Sequence, residues 1–517
     1  MMLKKTPPEL TFRALALGAA GAVVISASSA YVALRLGALP WPTVFVAVVS
    51  LAVLGPFGAS LREINVAHTG MSAGGLVAGG LAFTIPAFWM ADVPTELPLV
   101  SAIAAGVAGA VLGAGFTGVI RKYFIEERVL PFPMGTAAAE SLIAGREGGR
   151  KGRILFSACL ASGIFTWLRD GAGLVPQFLG TGRFPSFWLS PMALGIGYII
   201  GPLYMGTWLL GTLLANLLII PLGLNWEFFP SREMAGAFTT SLGIGTIIGA
   251  GLLVLLRAVS PALKGAARAA GGQVKWLAVA AAIALAVMTA ILGFPLLVSL
   301  FLILSVWFCV VTAATLTGQT GIDPMEIFGI LVILAVRVFF HVGLHQIFLI
   351  AAVVAVATGL AGDALQDFKV GNRLGTSPGA QWVSESLGGI VGAVTAAFAI
   401  FMLHDAFGPM GPGTDFPAPQ AFAVKSMIQG LPDATGFWTG FFAGLVLAAF
   451  RVPATTIGIG IYLPPFISLA AAVGGAAAYF TRKGEHRRAL TLTASGFLGG
   501  EGITGVLMAI WKVVTLG

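Results

Sequence analysis

Apolar residues run through this chain in blocks of about twenty or more, separated by short segments rich in Gly, Pro and charge. A helix rises about 1.5 Å per residue, so one block spans the hydrocarbon core of a bilayer. The blocks predict spans near 11–38, 42–60, 64–90, 97–120, 153–178, 188–206, 207–223, 236–257, 274–292, 295–316, 325–343, 345–363, 382–403, 434–450, 454–480 and 489–514, about sixteen helices (14–16) in all. Membrane barrels are excluded, because their strands alternate over roughly ten residues. Two further stretches, 130–145 and 415–430, are interrupted by proline and too polar to face lipid. They are expected to be Pro-broken re-entrant hairpins held inside protein. The segment "GDALQDFKVG" (362–371) reads as a cytoplasmic loop with Asp367 and Lys369 solvated.

Composition sharpens the class. Of 517 residues, 57% are hydrophobic and 10% charged, where a soluble domain carries about 25% charged residues. The chain is therefore read as an all-α polytopic membrane protein. Its 70 glycines suit close helix packing in lipid. A net charge of +8 would suggest nucleic acid in a soluble protein. Here the basic residues collect in loops, as cytoplasmic loops do. Lys4, Lys5, Arg62, "RKYFIEER" (121–128), "GREGGRKGR" (145–153) and the 257–275 loop fall on one side if the N-terminus is cytoplasmic. The acidic loop 404–433 falls on the other; the basic loop 481–488 breaks the pattern and leaves the C-terminal side open. "SASSA" (26–30) resembles a cleavage site, but the apolar run continues through it, so a span is expected rather than a signal peptide. Cys159 and Cys309 lie in apolar runs, which argues against a disulfide framework or a zinc site.

An internal repeat is visible. "LGIGYIIGPLY" (194–204) and "IGIGIYLPPFI" (457–467) share Gly-Ile-Gly and a Pro seven residues after the first Gly. Upstream, "FPMGTAAAESLIAG" (132–145) pairs with "FPAPQAFAVKSMIQG" (416–430), allowing one gap. The expectation is two pseudo-symmetric halves, 1–258 and 274–517, joined by a cytoplasmic linker at 259–273. Opposite loop charges around the two hairpin stretches favour an inverted over a parallel repeat. Such duplications are common among secondary transporters, with the substrate site between the repeats.

The segments "NVAHTGMSAGGLVAGGLAFTIPAFWM" (65–90), "LPFPMGTAAAESLIAGREGG" (130–149), "TGIDPMEIFGI" (320–330), "DFKVGNRLGTSPGAQ" (367–381), "FPAPQAFAVKSMIQG" and "IGIGIYLPPFISLAAAVGG" (457–475) carry a family resemblance. In this order, and with the closing "SGFLGGEGITGV" (495–506), the chain resembles the prokaryotic form of the oligopeptide transporter (OPT) superfamily. The resemblance implies about sixteen spans and proton-coupled symport of short peptides. Through the related yellow-stripe-like branch it also implies carriage of metal–chelate complexes. One departure is "TGQTGIDPME" (317–326), more acidic than the family's usual version. Asp323 before a proline is a good helix N-cap; a proton or cation role for Asp323 and Glu326 is the alternative.

Ionisable groups inside a membrane are functional candidates, because burying one at the bilayer centre costs on the order of 3 kcal/mol. Glu140 and Lys425 lie at near-equivalent places in the paired stretches. Glu140 suits the ammonium of a peptide and Lys425 its carboxylate. Gln420, His68 and Glu385 complete the substrate-binding candidates, and Glu501 in "GGEGITG", with Glu140, is the candidate for proton coupling. His341 and His345 are four apart but lack the adjacent Glu of a metallopeptidase, so a bend at a span end is expected there. Neither a P-loop nor a catalytic Ser/His/Asp grouping is found. The chain is expected to be a proton-gradient-driven carrier in the cytoplasmic membrane, without cofactor or bound metal and not an enzyme. A metal–chelate carrier is the alternative, and an intramembrane enzyme or a channel the reading from a different class.

Overall fold

The computed structural model describes residues 8–37, 43–91, 96–145, 150–180, 186–269, 274–320, 323, 325–429, 433–481 and 485–516, and the side chain of Glu140 lies outside what is described. The first half builds α1 (Phe12–Leu36), α2 (Thr43–Leu54), α3 (Leu61–Ala82), α4 (Pro86–Trp89), α5 (Leu99–Lys122), α6 (Pro133–Gly145), α7 (Arg150–Thr166), α8 (Pro191–Ile200), α9 (Pro202–Leu213), α10 (Ile220–Asn225) and α11 (Arg232–Ala269). After α12 (Val274–Ala290) come α13 (Leu296–Thr320), α14 (Met325–Phe339), α15 (Leu344–Leu374), α16 (Pro378–Phe407), α17 (Pro419–Gln429), α18 (Ala434–Ala449), α19 (Ala454–Tyr462), α20 (Pro465–Phe480) and α21 (Glu485–Leu516). Among the described residues the strands are one short hairpin, Phe178–Leu179 against Phe187–Trp188.

Local chemistry sets the boundaries. Thr11 caps α1 by accepting from the Ala14 amide, and Gly37 closes it at φ 62°, where a side chain would be strained. Ser60 caps α3 by accepting from the Glu63 amide. Glu63 then pairs with Arg13 across to α1.

Eight helices are long and apolar enough to cross a membrane, and five shorter apolar ones accompany them among the described residues. This is an all-α polytopic membrane protein. Two expected spans are each a broken helix. The run 188–206 divides at Gly201 (φ 87°) into α8 and α9, so the continuous apolar helix is Pro202–Asn225. The run 454–480 divides at Leu463 and Pro464 into α19 and α20. Proline removes a donor and clashes with the preceding turn, which hydropathy does not register. The expected loop 362–371 is a correction of the opposite kind. It is the last part of α15, and Asp367 and Lys369 are buried. Its charges imitate a loop because they face protein. The Lys369 Nζ donates to the Leu130 carbonyl at 2.8 Å. "SASSA" lies within α1, and α14 and α15 are separated by a break at 340–343, which takes His341 off the helix that carries His345.

Elements of the N-terminal and C-terminal parts of the chain share local features. α1 and α13 are both 25 residues long, and each is met at its end by a proline-started helix. Phe132 (φ 43°) precedes Pro133 and donates its amide to the Gly318 carbonyl of α13 at 2.9 Å; Ala418 (φ 39°) precedes Pro419 and donates to the Leu34 carbonyl of α1 at 2.9 Å. This register sets Glu140 against Ser426, each seven residues past its proline, rather than against Lys425. Helices of the N-terminal part pack on helices of the C-terminal part. α3 lies on α16 as α15 lies on α5, α11 on α18 as α21 on α7, and α8 on α20 as α19 on α9. α3 and α15 also pack on each other at the centre. Their apolar windows are wholly buried, whereas that of Pro202–Asn225 is 28% buried and faces outward.

Small residues permit these crossings. A Cβ on Gly388 of α16 would land on the Gly70 carbonyl oxygen of α3, and one on Gly392 would meet the Gly74 Cα at 2.6 Å. Gly388→Ala should therefore destabilise the protein by about 1–3 kcal/mol, the usual cost of overpacking. Gly206→Ala, where nothing lies within 4 Å, should stay within about 0.5 kcal/mol of the parent. Thermal unfolding of the two variants in detergent checks this; equal midpoints would sink the account.

Candidate functional site

Three helices bring polar stripes to the buried centre. On α3 the stripe is Asn65, His68, Thr69 and Ser72; on α15 it is Asp363, Gln366 and Asp367; on α16 it is Gln381, Ser384 and Glu385. Spacings of three and four place each set on one helix face. Ten residues contribute, and none is more than 1% exposed. The Ser72 hydroxyl donates to Asp363 Oδ2 at 2.9 Å. Gln381 donates to Thr69 Oγ1 at 3.1 Å and to the Asp367 carbonyl at 2.7 Å. Asn65 donates to Thr376 at 3.2 Å, and Ser384 to the Val66 carbonyl at 2.6 Å. The neutral groups thus tie α3, α15 and α16 together.

The carboxylates are not satisfied in the same way. Both oxygens of Asp367, both of Glu385 and Oδ1 of Asp363 accept no hydrogen bond. His68 Nε2 stands 3.7 Å from Asp367 Oδ1, inside ion-pair range and outside hydrogen-bond range. Asp323, between α13 and α14, packs its carboxylate on Gly362 beside Asp363. Neither Asp323 oxygen accepts a hydrogen bond, so it does not cap α14, and the capping expectation is replaced by membership of this cluster. Glu326 of α14 is buried in the same neighbourhood. α6 enters from the side, where the Gly135 amide donates to Gln366 Oε1 at 2.8 Å. Its N-terminal turn therefore lies against the residue preceding Asp367. Among the described residues, no three His, Cys, Asp or Glu are close enough to hold a metal ion.

Of the sequence candidates, His68 and Glu385 are brought into this cluster. Asp363 and Asp367 were missed. Their signal was helical spacing, Asp-x-x-Gln-Asp, facing Asn-x-x-His-Thr-x-x-Ser. Gln420 is buried and donates to the Gly37 carbonyl at 2.9 Å, closing the end of α1. Lys425 is half-buried with its Nζ 5.7 Å from the Phe422 ring centre. α6 packs on α2 and α15, and α17 on α4 and α14. Whether Glu140 faces Lys425 lies outside the described residues.

Glu501 belongs to a second centre. Arg169 Nη2 donates to its Oε1 at 2.9 Å, while the Ser190 hydroxyl and the Met192 amide donate to Oε2 at 2.9 and 2.8 Å. Arg169 also binds Asp170 through two nitrogens. This ties α21 to the start of α8, where Ser190 is the N-cap.

The family described as OPT oligopeptide transporter protein matches residues 9–271 and 273–512. A Haemophilus influenzae protein, provisionally named an oligopeptide transporter, is 26% identical over 93% of this chain and 92% of its own. The metal-nicotianamine transporter YSL1 of Arabidopsis thaliana is 28% identical over 32% of this chain and 31% of its own. YSL8 of the same plant, provisionally named a metal-nicotianamine transporter, is 24% identical over 74% and 67%.

The Glu501 centre makes a quantitative prediction. Arg169→Gln leaves two carboxylates buried without their cation and should cost about 3–5 kcal/mol. Arg169→Gln with Glu501→Gln should cost less than the sum of the single changes by at least about 1 kcal/mol. Thermal or denaturant unfolding of the three variants measures the coupling, and additive losses would contradict the pairing.

Proposed function

The chain belongs to the OPT oligopeptide transporter family, and from that premise we propose that it is a proton-coupled symporter of short peptides in the cytoplasmic membrane. The family makes it a multi-pass membrane transporter and not an enzyme. The observation that carries proton coupling is the uncompensated acid cluster. Asp363, Asp367 and Glu385 are fully buried, and five of their six oxygens accept no hydrogen bond. Ionised carboxylates in such a setting call for a mobile cation, and a proton is the smallest.

Coupling is assigned to these three acids with His68, in place of Glu501, whose oxygens are taken by Arg169, Ser190 and Met192. Protons enter the cluster with the solute. The neutralised centre then lets α3, α15 and α16 shift as the exchanged halves alternate access. An inverted repeat with a cytoplasmic N-terminus fits this cycle, because opposed halves give equivalent inward and outward states. α6 and α17 line the path as half-inserted helices, with Glu140 and Lys425 on them. Carriage of a metal–nicotianamine-like chelate is the second reading, favoured by the plant relatives YSL1 and YSL8.

Uptake of tri-alanine into proteoliposomes under an imposed pH gradient tests the proposal. One pH unit supplies about 1.4 kcal/mol per proton. With one proton per solute and no membrane potential, accumulation should rise about tenfold per unit. Asp367→Asn and Glu385→Gln should each abolish gradient-driven accumulation while leaving solute exchange at equal pH. Accumulation that ignores the gradient, or survives both changes, would refute the coupling.

A further inference from the structure

A guanidinium stands in an aromatic box away from the acid cluster. Arg35, in the last turn of α1, is 7% exposed. Its guanidinium carbon lies 5.2 Å from the Tyr31 ring centre, 5.5 Å from Trp188 and 5.1 Å from Phe416. Aromatic faces and the negative end of α1 stabilise the charge. They offer no acceptor in the plane of the fork, where a guanidinium forms its strongest contacts. Among the described residues no carboxylate lies within ion-pair distance of Arg35, and its buried Nε donates to nothing. The neighbouring acids, Asp170 and Glu501, are both bound by Arg169.

Arg35 opens on a cavity of about 240 Å³ shared with Gln177, Trp188, Thr414, Asp415 and Phe466. The cavity is built where the α1 end meets the loop that leads into α17. Thr414 fixes that loop by donating to the Gly411 carbonyl at 2.8 Å. Asp415 is exposed at the rim, while Arg35 is buried. The cavity therefore presents a planar cation inside and an anion at its mouth. An aliphatic or aromatic ligand would leave the fork unsatisfied, and an organic cation would meet Arg35 head on.

We propose that Arg35 is the carboxylate-recognition residue of the transported solute, bound in this cavity in a bidentate contact to its guanidinium. The proposal rests on the transporter reading and names one contact of its substrate. A peptide C-terminus and an amino-polycarboxylate chelate both carry the required group.

The full chain in lipid nanodiscs is titrated with tri-alanine, tri-alanine amide and nickel–nicotianamine, following tryptophan fluorescence, because Trp188 lies beside Arg35. Saturable binding of tri-alanine, at least about tenfold tighter than its amide and lost in Arg35→Gln, supports the site with a peptide as source. Binding of nickel–nicotianamine alone, also lost in Arg35→Gln, supports it with a chelate as source. Arg35→Lys keeps the charge without the fork. It should bind the active probe about three- to tenfold more weakly and stay monodisperse, which separates recognition from folding. Unchanged binding in Arg35→Gln, equal affinity for acid and amide with no chelate response, or no saturable response to any probe would overturn the proposal. The transporter reading fails separately: it falls if the parent binds these probes but accumulates none in proteoliposomes.

Discussion

A carboxylate cut off from water must find a cation or a proton, and the arrangement of this protein follows from how it meets that requirement in two ways. Glu501 is met by Arg169, Ser190 and the Met192 amide, so every oxygen has a donor. Asp363, Asp367 and Glu385 are met by one serine and a histidine at 3.7 Å. The first centre is a fastener between α21 and α8. The second is left incomplete on the two most deeply buried helices, α3 and α15, and the helix that crosses α3. Burial of this kind favours the neutral, protonated form of a carboxyl, so the charge of the centre follows its protonation. On the proposed reading, the acids serve transport and the Arg169–Glu501 centre serves architecture.

Gly388 brings α16 so close to α3 that a Cβ there would land on the Gly70 carbonyl oxygen. Small residues also give shallow surfaces over which helices can slide, in place of interlocked large side chains. α3 packs on α16 and α15 on α5, so the N-terminal and C-terminal parts share a common centre.

Much of the fold was legible, because hydropathy measures what lipid contact requires. The blocks located apolar helices such as α1, α5 and α16. Hydropathy failed where a segment faces protein. Asp363, Asp367 and Lys369 made the end of α15 look like a loop, although their partners Ser72, His68 and Leu130 lie in distant sequence. It also failed where Pro202 and Pro464 divide apolar runs without changing their apolarity. At the site, His68 and Glu385 were found as isolated polar residues in apolar surroundings. Their relation to Asp363 and Asp367 was hidden, since three helices had to be superposed to reveal it. Gln420, a polar side chain beside a helix start, donates to the Gly37 carbonyl at the end of α1.

The ends of α1 and α13 set unlike charges in like surroundings. α1 and α13 end in the same way, each receiving an amide from a strained residue before a proline. The chemistry at the two ends is opposite. Beyond α13 lies Asp323, against Gly362 and the acid cluster; in the last turn of α1 lies Arg35, inside its aromatic box. One end thus carries a surplus of acid and the other a guanidinium without a carboxylate partner among the described residues. The proton-coupled carriage of a zwitterionic solute proposed above needs both chemistries, and needs them apart. Were Arg35 within reach of Asp363 or Glu385, the two would neutralise each other as Arg169 and Glu501 do, and neither proton nor carboxylate would have a site. Separation of the charges on matching helix ends is thus what keeps each available.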